Sequence, residues 1–298
     1  MDKNVDLKDF LRTRRARLTP ADAGIADEFP GRRVPGLRRE ELAALAGVSV
    51  DYYVRLEQGR NLNPSASVVD ALARALQLDD TERAHLFDLA QPRHVRRPPG
   101  PRTQRVRPTM FGMLEALDDA ASPAFVVGRR MDVLAANRMA RALICDFNAL
   151  PAGQRNKARF IFLDPGARDL YVQWDKVAAE TVAILRLDAG RHPDDPQLSA
   201  LIGELSVKSE HFRHWWAEHQ VLVRTSGTKL YRHPIAGEIT IDFQALQLPE
   251  DPEQTLFVYT APAGSPSQQA LRMLASWNAA DRLTIVHAKV GVESDILQ

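Results

Sequence analysis

The stretch Glu41–Arg60, ELAALAGVSVDYYVRLEQGR, constrains this chain more than any other. Two short helices that cross closely need a small residue where their axes meet, and Ala43 supplies one. The turn between them needs a residue that tolerates positive φ, and Gly47 does so without steric cost. Ser49 is placed to cap the orphan amides that open the second helix. Leu42, Ala46, Val48, Tyr53 and Leu56 then form the apolar seam that fixes the crossing angle. An ordinary helical hairpin would use the same devices, so the flanking sequence has to decide between the two.

The flanks are helical. Leu7, Phe10, Leu11 and Leu18 recur at helical spacing with arginines on the other face. Further helices are expected near Arg38–Ala46, Val50–Gln58, Ala66–Leu76 and Asp80–Ala90. Ser65 stands as an N-cap behind Pro64, and Asp79 with Glu82 offers a capping box. Residues 1–110 carry 20 Lys+Arg against 15 Asp+Glu, while the remainder carries 19 against 23. The basic surplus therefore belongs to the first third and points to an anionic partner for that part alone.

Together, REELAALAGVS, YYVRLEQGR, PS and ALARAL resemble the five-helix phage-repressor class of helix-turn-helix proteins, often called XRE or Cro/repressor. Tyr53 departs from the Ile or Val usual in that class. The resemblance implies that the second helix enters the DNA major groove and that Val50, Asp51, Val54 and Arg55 face base edges. Arg55 then pairs with a guanine, and Asp51 either accepts from cytosine N4 or favours the positive helix end. Arg39 matches a phosphate-gripping position. Ser49, Tyr52, Arg60 and the amides near Ser65 complete the backbone contacts, which set register and not sequence.

Beyond these helices, QPRHVRRPPGPRTQRVRP holds five prolines, six arginines and no acidic residue. It reads as an extended linker, its arginines either reaching DNA phosphates or simply solvated. The domains expected are 1–90 for DNA binding, 91–107 as linker, 108–277 as a second domain and 278–298 as a tail. Within the second, AFVVGRRMDVLAANRMARAL suggests strand, turn, strand and a helix from about Ala136. ARDLYVQWDKVAAETVAILRL places Leu170, Trp174, Val177, Thr181 and Leu185 on one helical face. Further helices are expected at Pro196–Leu205 and Glu210–Glu218. VLVRTSGTKLYRHP reads as a hairpin turning at its Ser-Gly pair, GEITIDF and QTLFVYTA as strands, and SPSQQALRMLASW as a closing helix. Strands with helices between and after them indicate an α+β domain around an antiparallel sheet.

NRMARAL, ARFIFLDPGARDLYVQW, GELSVKSEHFRHWWAEHQV and GTKLYRHPIAGEITIDF resemble the ligand-binding domain of MmyB-like regulators. That resemblance implies a PAS-like fold, an antiparallel sheet with helices over one face and an apolar pocket, fatty-acid-like ligands and a homodimer. The expected architecture is thus an all-α helix-turn-helix domain followed by an α+β PAS-like domain with a central antiparallel sheet. Trp174, Phe212, Trp215 and Trp216 are the candidate pocket aromatics, or else plain core. Arg224, Tyr231 and His233 are the candidates to orient a carboxylate, with His233 alternatively capping the turn before Pro234.

Other classes find less support. His211, His214 and His219 cluster, but no carboxylate completes a ligand spacing, and neither HExxH nor Gly-x-Ser-x-Gly occurs. No metal, cofactor or catalytic residue is expected. The rival readings are a DNA-tethered enzyme using these histidines and a second domain serving only dimerisation or protein interaction. The single cysteine, Cys145, cannot form an internal bridge. With no long apolar run and a charged N-terminus, a cytoplasmic protein without membrane contact is expected.

Overall fold

The computed structural model describes residues 3–25, 34, 36–60, 63–90 and 104–277. Most of the expected linker and all of the tail lie outside them. The chain forms two compact units, and neither is one continuous run of sequence. Unit 1 joins Met1–Pro101 with Ala179–Val223, and unit 2 joins Arg102–Ala178 with the chain from Arg224 onward.

Unit 1 is helical. Its first part contains α1 (Lys3–Arg17), α2 (Arg39–Leu45), α3 (Val50–Glu57), α4 (Ala66–Ala75) and α5 (Asp80–Ala90). The expected caps form. Ser49 accepts from the Tyr52 amide at 3.2 Å, Ser65 from that of Val68 at 3.4 Å, and Asp79 from that of Glu82 at 2.8 Å. Gly47 takes φ +66 at the turn between α2 and α3. Leu42, Ala43, Ala46, Tyr53 and Leu56 are buried in one apolar cluster with Phe10, Leu11 and Leu72. Leu187 and Val221, far along the chain, belong to the same cluster.

Unit 1 also takes α11 (Pro196–Lys208), α12 (Glu210–Ala217) and most of a long helix, α10 (Trp174–Arg191), whose first turn lies in unit 2. One expectation is corrected here: the arginines of α1 do not all face water. Arg14 is only 3% exposed, because the helices from later in the chain cover it.

Unit 2 holds a five-stranded antiparallel sheet in the order β2-β1-β5-β4-β3. Its strands are β1 (Ala124–Val127), β2 (Val133–Ala136), β3 (Ser226–His233), β4 (Gly237–Leu248) and β5 (Asp251–Thr260). On one face Ala124, Val126, Ala135 and Leu256 pack with Leu114 of α6 (Pro108–Asp119). The pleat sends Phe125, Phe257, Tyr259 and Phe243 to the opposite face. Lys157, from α8 (Lys157–Leu163), lies over that aromatic side. Helical segments therefore cover both faces of the sheet, not the single face that the resemblance implies. Between β2 and the long helix lie also α7 (Arg138–Leu143) and α9 (Pro165–Leu170), and a helix over 266–277 closes the described chain.

Two further local expectations are corrected. The Ser226–Gly227 pair is not a turn but the start of β3, which pairs with β4 from Ser226 opposite Gln244 to His233 opposite Gly237. The hairpin turns instead just beyond His233, where Pro234 cannot donate to the ladder and Gly237 takes φ +71. Leu170 and Trp174 do not share one helix either. The chain leaves α9 at Tyr171, which forms an antiparallel bridge with Tyr231, and Val172 donates to the Leu230 carbonyl at 3.1 Å. Pairing with a sheet edge overrides helical propensity at this point.

Candidate nucleic-acid interface and ligand-binding core

The exposed side of α3 carries the residues expected at base edges. Val50 is 45% exposed, and the Asp51 and Arg55 side chains are 83% and 50% exposed. Arg55 and Asp51 lie 4.0 Å apart, a solvated pair one helical turn distant, so the guanidinium is not locked away from a partner. Tyr52 and Val54 are partly exposed beside them, and Arg60 is exposed just after the helix.

What holds α3 in place is a buried knot around Glu57, its last residue. The Glu57 side chain is 1% exposed. Arg15 of α1 donates to Glu57 Oε1 through Nε at 2.9 Å, with Nη2 also 2.8 Å away. Arg39 of α2 bonds the other carboxylate oxygen, and the Tyr53 hydroxyl donates to Oε1 at 3.4 Å. One carboxylate thus ties three helices together, and the departure at Tyr53 gains a physical reason: the phenol reaches an acid that Ile or Val could not. Burial, and then the Glu57 charge, push the Tyr53 phenol well above its ordinary range. Arg39, expected at a phosphate, is bound to Glu57 while its side chain stays 46% exposed.

A second buried polar cluster joins α1 and α5 to α10 and α12. Arg14 donates to the His219 carbonyl at 2.7 Å and pairs with Glu82 at 2.8 Å. Arg186 lies over the Trp216 ring at 3.9 Å, meets His219 Nδ1 at 3.0 Å and donates to the Trp216 carbonyl. His219 has φ +53, a left-handed conformation just past the end of α12, held by bonds at its ring and its carbonyl. Gly190 is required where α10 meets α5, since a Cβ there would lie 2.5 Å from His85 Cε1. Burial, then the charges of Arg186 and Arg14, push His85 and His219 down to about 3. Burial likewise lowers Arg186 to about 10, against the opposing pull of Asp6 and Asp9.

The residues expected to bind a ligand fall into both units. Phe212, Trp215 and Trp216 belong to unit 1, where Phe212 stacks on Trp216 at 5.5 Å and Trp215 tilts against His211 at 5.6 Å. Trp174, Arg224, Tyr231 and His233 belong to unit 2. Trp174 donates from Nε1 to the Ile161 carbonyl at 2.9 Å and carries the Arg168 guanidinium 4.2 Å above its ring. His233 follows the turn-capping alternative. Its Nδ1 accepts from the Ile235 and Ala236 amides at 3.2 and 3.1 Å, which leaves Nε2 as the donor to the Ala142 carbonyl at 2.9 Å. Arg224 lies 5.9 Å over the Phe243 ring.

Tyr231 has companions that sequence reasoning missed. Tyr171 and Tyr259 are buried beside it, on segments separated from it by tens of residues. The alternation QTLFVYTA placed Tyr259 on a strand, but nothing in the linear pattern told which face would meet Tyr171. Among the described residues no three His, Cys, Asp or Glu side chains converge as metal ligands, and no helix is long and apolar enough to cross a membrane.

A crossed pair of capped helices with an exposed second helix, in a chain that also holds an α+β unit, fits a helix-turn-helix transcription regulator with a ligand-binding domain. A family model described as a helix-turn-helix domain matches residues 6–86. One described as the MmyB-like transcription regulator ligand binding domain matches residues 106–274, more than half of the 298. The chain belongs to this MmyB-like family. No curated protein matches it.

Proposed function

We propose that the chain is a cytoplasmic regulator that binds operator DNA as a homodimer and alters that binding when its ligand-binding domain takes up a small apolar, fatty-acid-like molecule. In this reading residues 1–90 form the DNA-binding domain, 91–107 a linker and 108–277 the sensor. The observation that carries the DNA half is the exposed face of α3, with Val50, Asp51, Val54 and Arg55 outward while Glu57 anchors its inner end. Arg55 reads a guanine edge, and Ser49, Tyr52, Arg60 and the half-exposed Arg39 contact phosphates. In a dimer the two recognition helices meet half-sites about 34 Å apart, so a small rotation between protomers removes the match.

The sensing half is supported by connectivity. Helix α10 starts in unit 2 at Trp174 and continues in unit 1 through Arg186, Leu187 and Gly190, where it packs with α1 and α5. A ligand that favours one arrangement of unit 2 therefore has a continuous helix leading to the DNA-binding helices. Only differential affinity for two arrangements shifts their balance. The reading assigns no catalysis to the histidines.

Selection of duplexes from a random pool by the full chain, followed by fluorescence anisotropy, tests the DNA half. Arg55→Glu is expected to weaken binding to the selected duplex at least tenfold, and wild-type affinity is expected to fall steeply with salt. Undiminished binding by Arg55→Glu would overturn the assignment of α3. Arg39→Glu is not a clean probe, because it would set a second carboxylate against Glu57.

A further inference from the structure

The outer side of α6 is apolar where a helix facing water is usually charged. Phe111 and Met113 are 49% and 50% exposed, Gly112 and Ala116 are exposed with them, and the helix carries no lysine or arginine. Of its 12 residues only Leu114 is buried. At 3.6 residues per turn, positions two apart point in nearly opposite directions. Gly112 therefore faces away from the sheet that Leu114 meets, with Phe111 and Met113 on its two flanks. The apolar surface continues onto the sheet. Leu246, 50% exposed, stands opposite Leu256 in the β4–β5 register, and Leu256 packs with Leu114 under the helix. Single exposed apolar residues need no explanation, but a contiguous group marks a place of contact.

Gly112 is the unusual member of this group. In the middle of a helix glycine is less favourable than alanine. Its φ lies outside the left-handed region, and a Cβ built on it would meet nothing within 4 Å. Neither backbone conformation nor packing among the described residues asks for a glycine here. A second helix crossing at this point would, because small residues at a crossing let two helix axes approach.

The charges around α6 say what kind of helix that is. Glu115 and Asp119 are exposed toward its C-terminal end, where the helix dipole is already negative. Asp118 is different, since it pairs with Arg138 at 3.1 Å and accepts from the Met139 amide at 2.8 Å. Ahead of the helix Gln104 and Val106 are partly buried, while Arg105 and Arg107 are exposed. Arg107 is engaged by Asp251 at 2.8 Å and by Glu250. Arg105 is then the cation offered at this end. A cation before the helix, two acids at its far end and an apolar centre on a glycine are self-complementary when two such helices run antiparallel. A twofold axis at Gly112 carries Arg105 of one copy toward Glu115 and Asp119 of the other.

We propose that α6 joins two copies of this chain by crossing its counterpart antiparallel at Gly112, with Phe111 and Met113 closing over the crossing from either side and Arg105 of each copy meeting the acidic end of the other helix. The proposal rests on the reading of the chain as a homodimer and names the surface that holds the copies together. In this arrangement the exposed glycine and the acids at the C-terminal end, each unfavourable in a lone helix, gain a function.

The test uses the full chain. In analytical ultracentrifugation Gly112→Gln and Phe111→Glu are each expected to raise the dimer dissociation constant about tenfold or more, with unchanged far-ultraviolet circular dichroism. Arg105→Glu is expected to weaken the dimer, and adding Asp119→Arg to restore it. With Cys145→Ser as background, Gly112→Cys is expected to form a disulfide between copies under mild oxidation, whereas Val207→Cys, at a position 80% exposed in unit 1, is not. Dimers that survive both Gly112→Gln and Phe111→Glu, or a Gly112→Cys variant that does not cross-link, would overturn this interface and leave the homodimer reading standing. Charge reversal at Arg105 that Asp119→Arg fails to restore would overturn the antiparallel arrangement. Wild type that stays monomeric at every concentration, alone and with its selected duplex, would remove the homodimer reading and the interface with it.

Discussion

In unit 1 each buried charge meets several partners: Glu57 holds two guanidinium groups and a phenol, and Arg186 meets a ring nitrogen, a carbonyl and an indole face. In unit 2 three neutral phenols, Tyr171, Tyr231 and Tyr259, share one buried core and act on one another. Multiply tied charges tolerate little displacement, because every partner that moves leaves a buried charge exposed to a poor environment. Neutral phenols grouped among themselves shift at smaller cost, because no buried charge loses its partner when one moves. The contrast teaches which core is pinned by buried charge and which is held by neutral groups. A recognition helix has to be presented at one angle, and the knot at Glu57 does this from inside.

The sharpest way to break that comparison is Glu57→Ala. It leaves Arg15 without its carboxylate at the junction of α1, α2 and α3, and a loss of about 3–5 kcal/mol is expected. Urea unfolding of the full chain measures it, and a loss under about 1 kcal/mol would show that the knot is incidental.

A smaller effect comes from acid. His85 and His219 titrate near 3 in the folded protein, against 6.5 ordinarily, with burial the first cause. Below 6.5 the unfolded chain takes up protons that the folded one refuses. Their stabilising contribution is therefore complete above pH 6.5 and is lost as pH falls toward 3, at up to about 1.4 kcal/mol per pH unit for each imidazole. Unfolding midpoints at pH 7 and pH 5 would show the decline, and His85→Phe would make it shallower. A midpoint indifferent to pH in that window would mean that both rings are solvated.

How much of this was legible in the sequence follows from the range of the forces involved. The helices of 1–90 and their caps could be read because capping and amphipathic spacing are local: Ser49, Ser65 and Asp79 each act within three residues. The strands around GEITIDF and QTLFVYTA showed by alternation. The Glu57 knot was invisible, since Arg15, Arg39 and Glu57 look like ordinary surface charges until α1, α2 and α3 meet. The same holds for Arg14, which the helical pattern placed on the solvent side before the segment from Ala179 to Val223 returned to cover it. Trp216 carried a true signal of importance, but its partner is the Arg186 guanidinium in unit 1. The exposed residues of α3 were the most legible part of the candidate interface, and the tyrosine trio the least. Two of its three members come from segments that only the sheet and one isolated bridge bring together.

The measurement that bears most directly on the central claim is the affinity of the full chain for its selected duplex, with and without saturating tetradecanoate. Coupling between two sites is a free energy, and a change of at least fivefold is expected in wild type. Identical affinities with and without the carboxylate in wild type that demonstrably binds it would contradict the account.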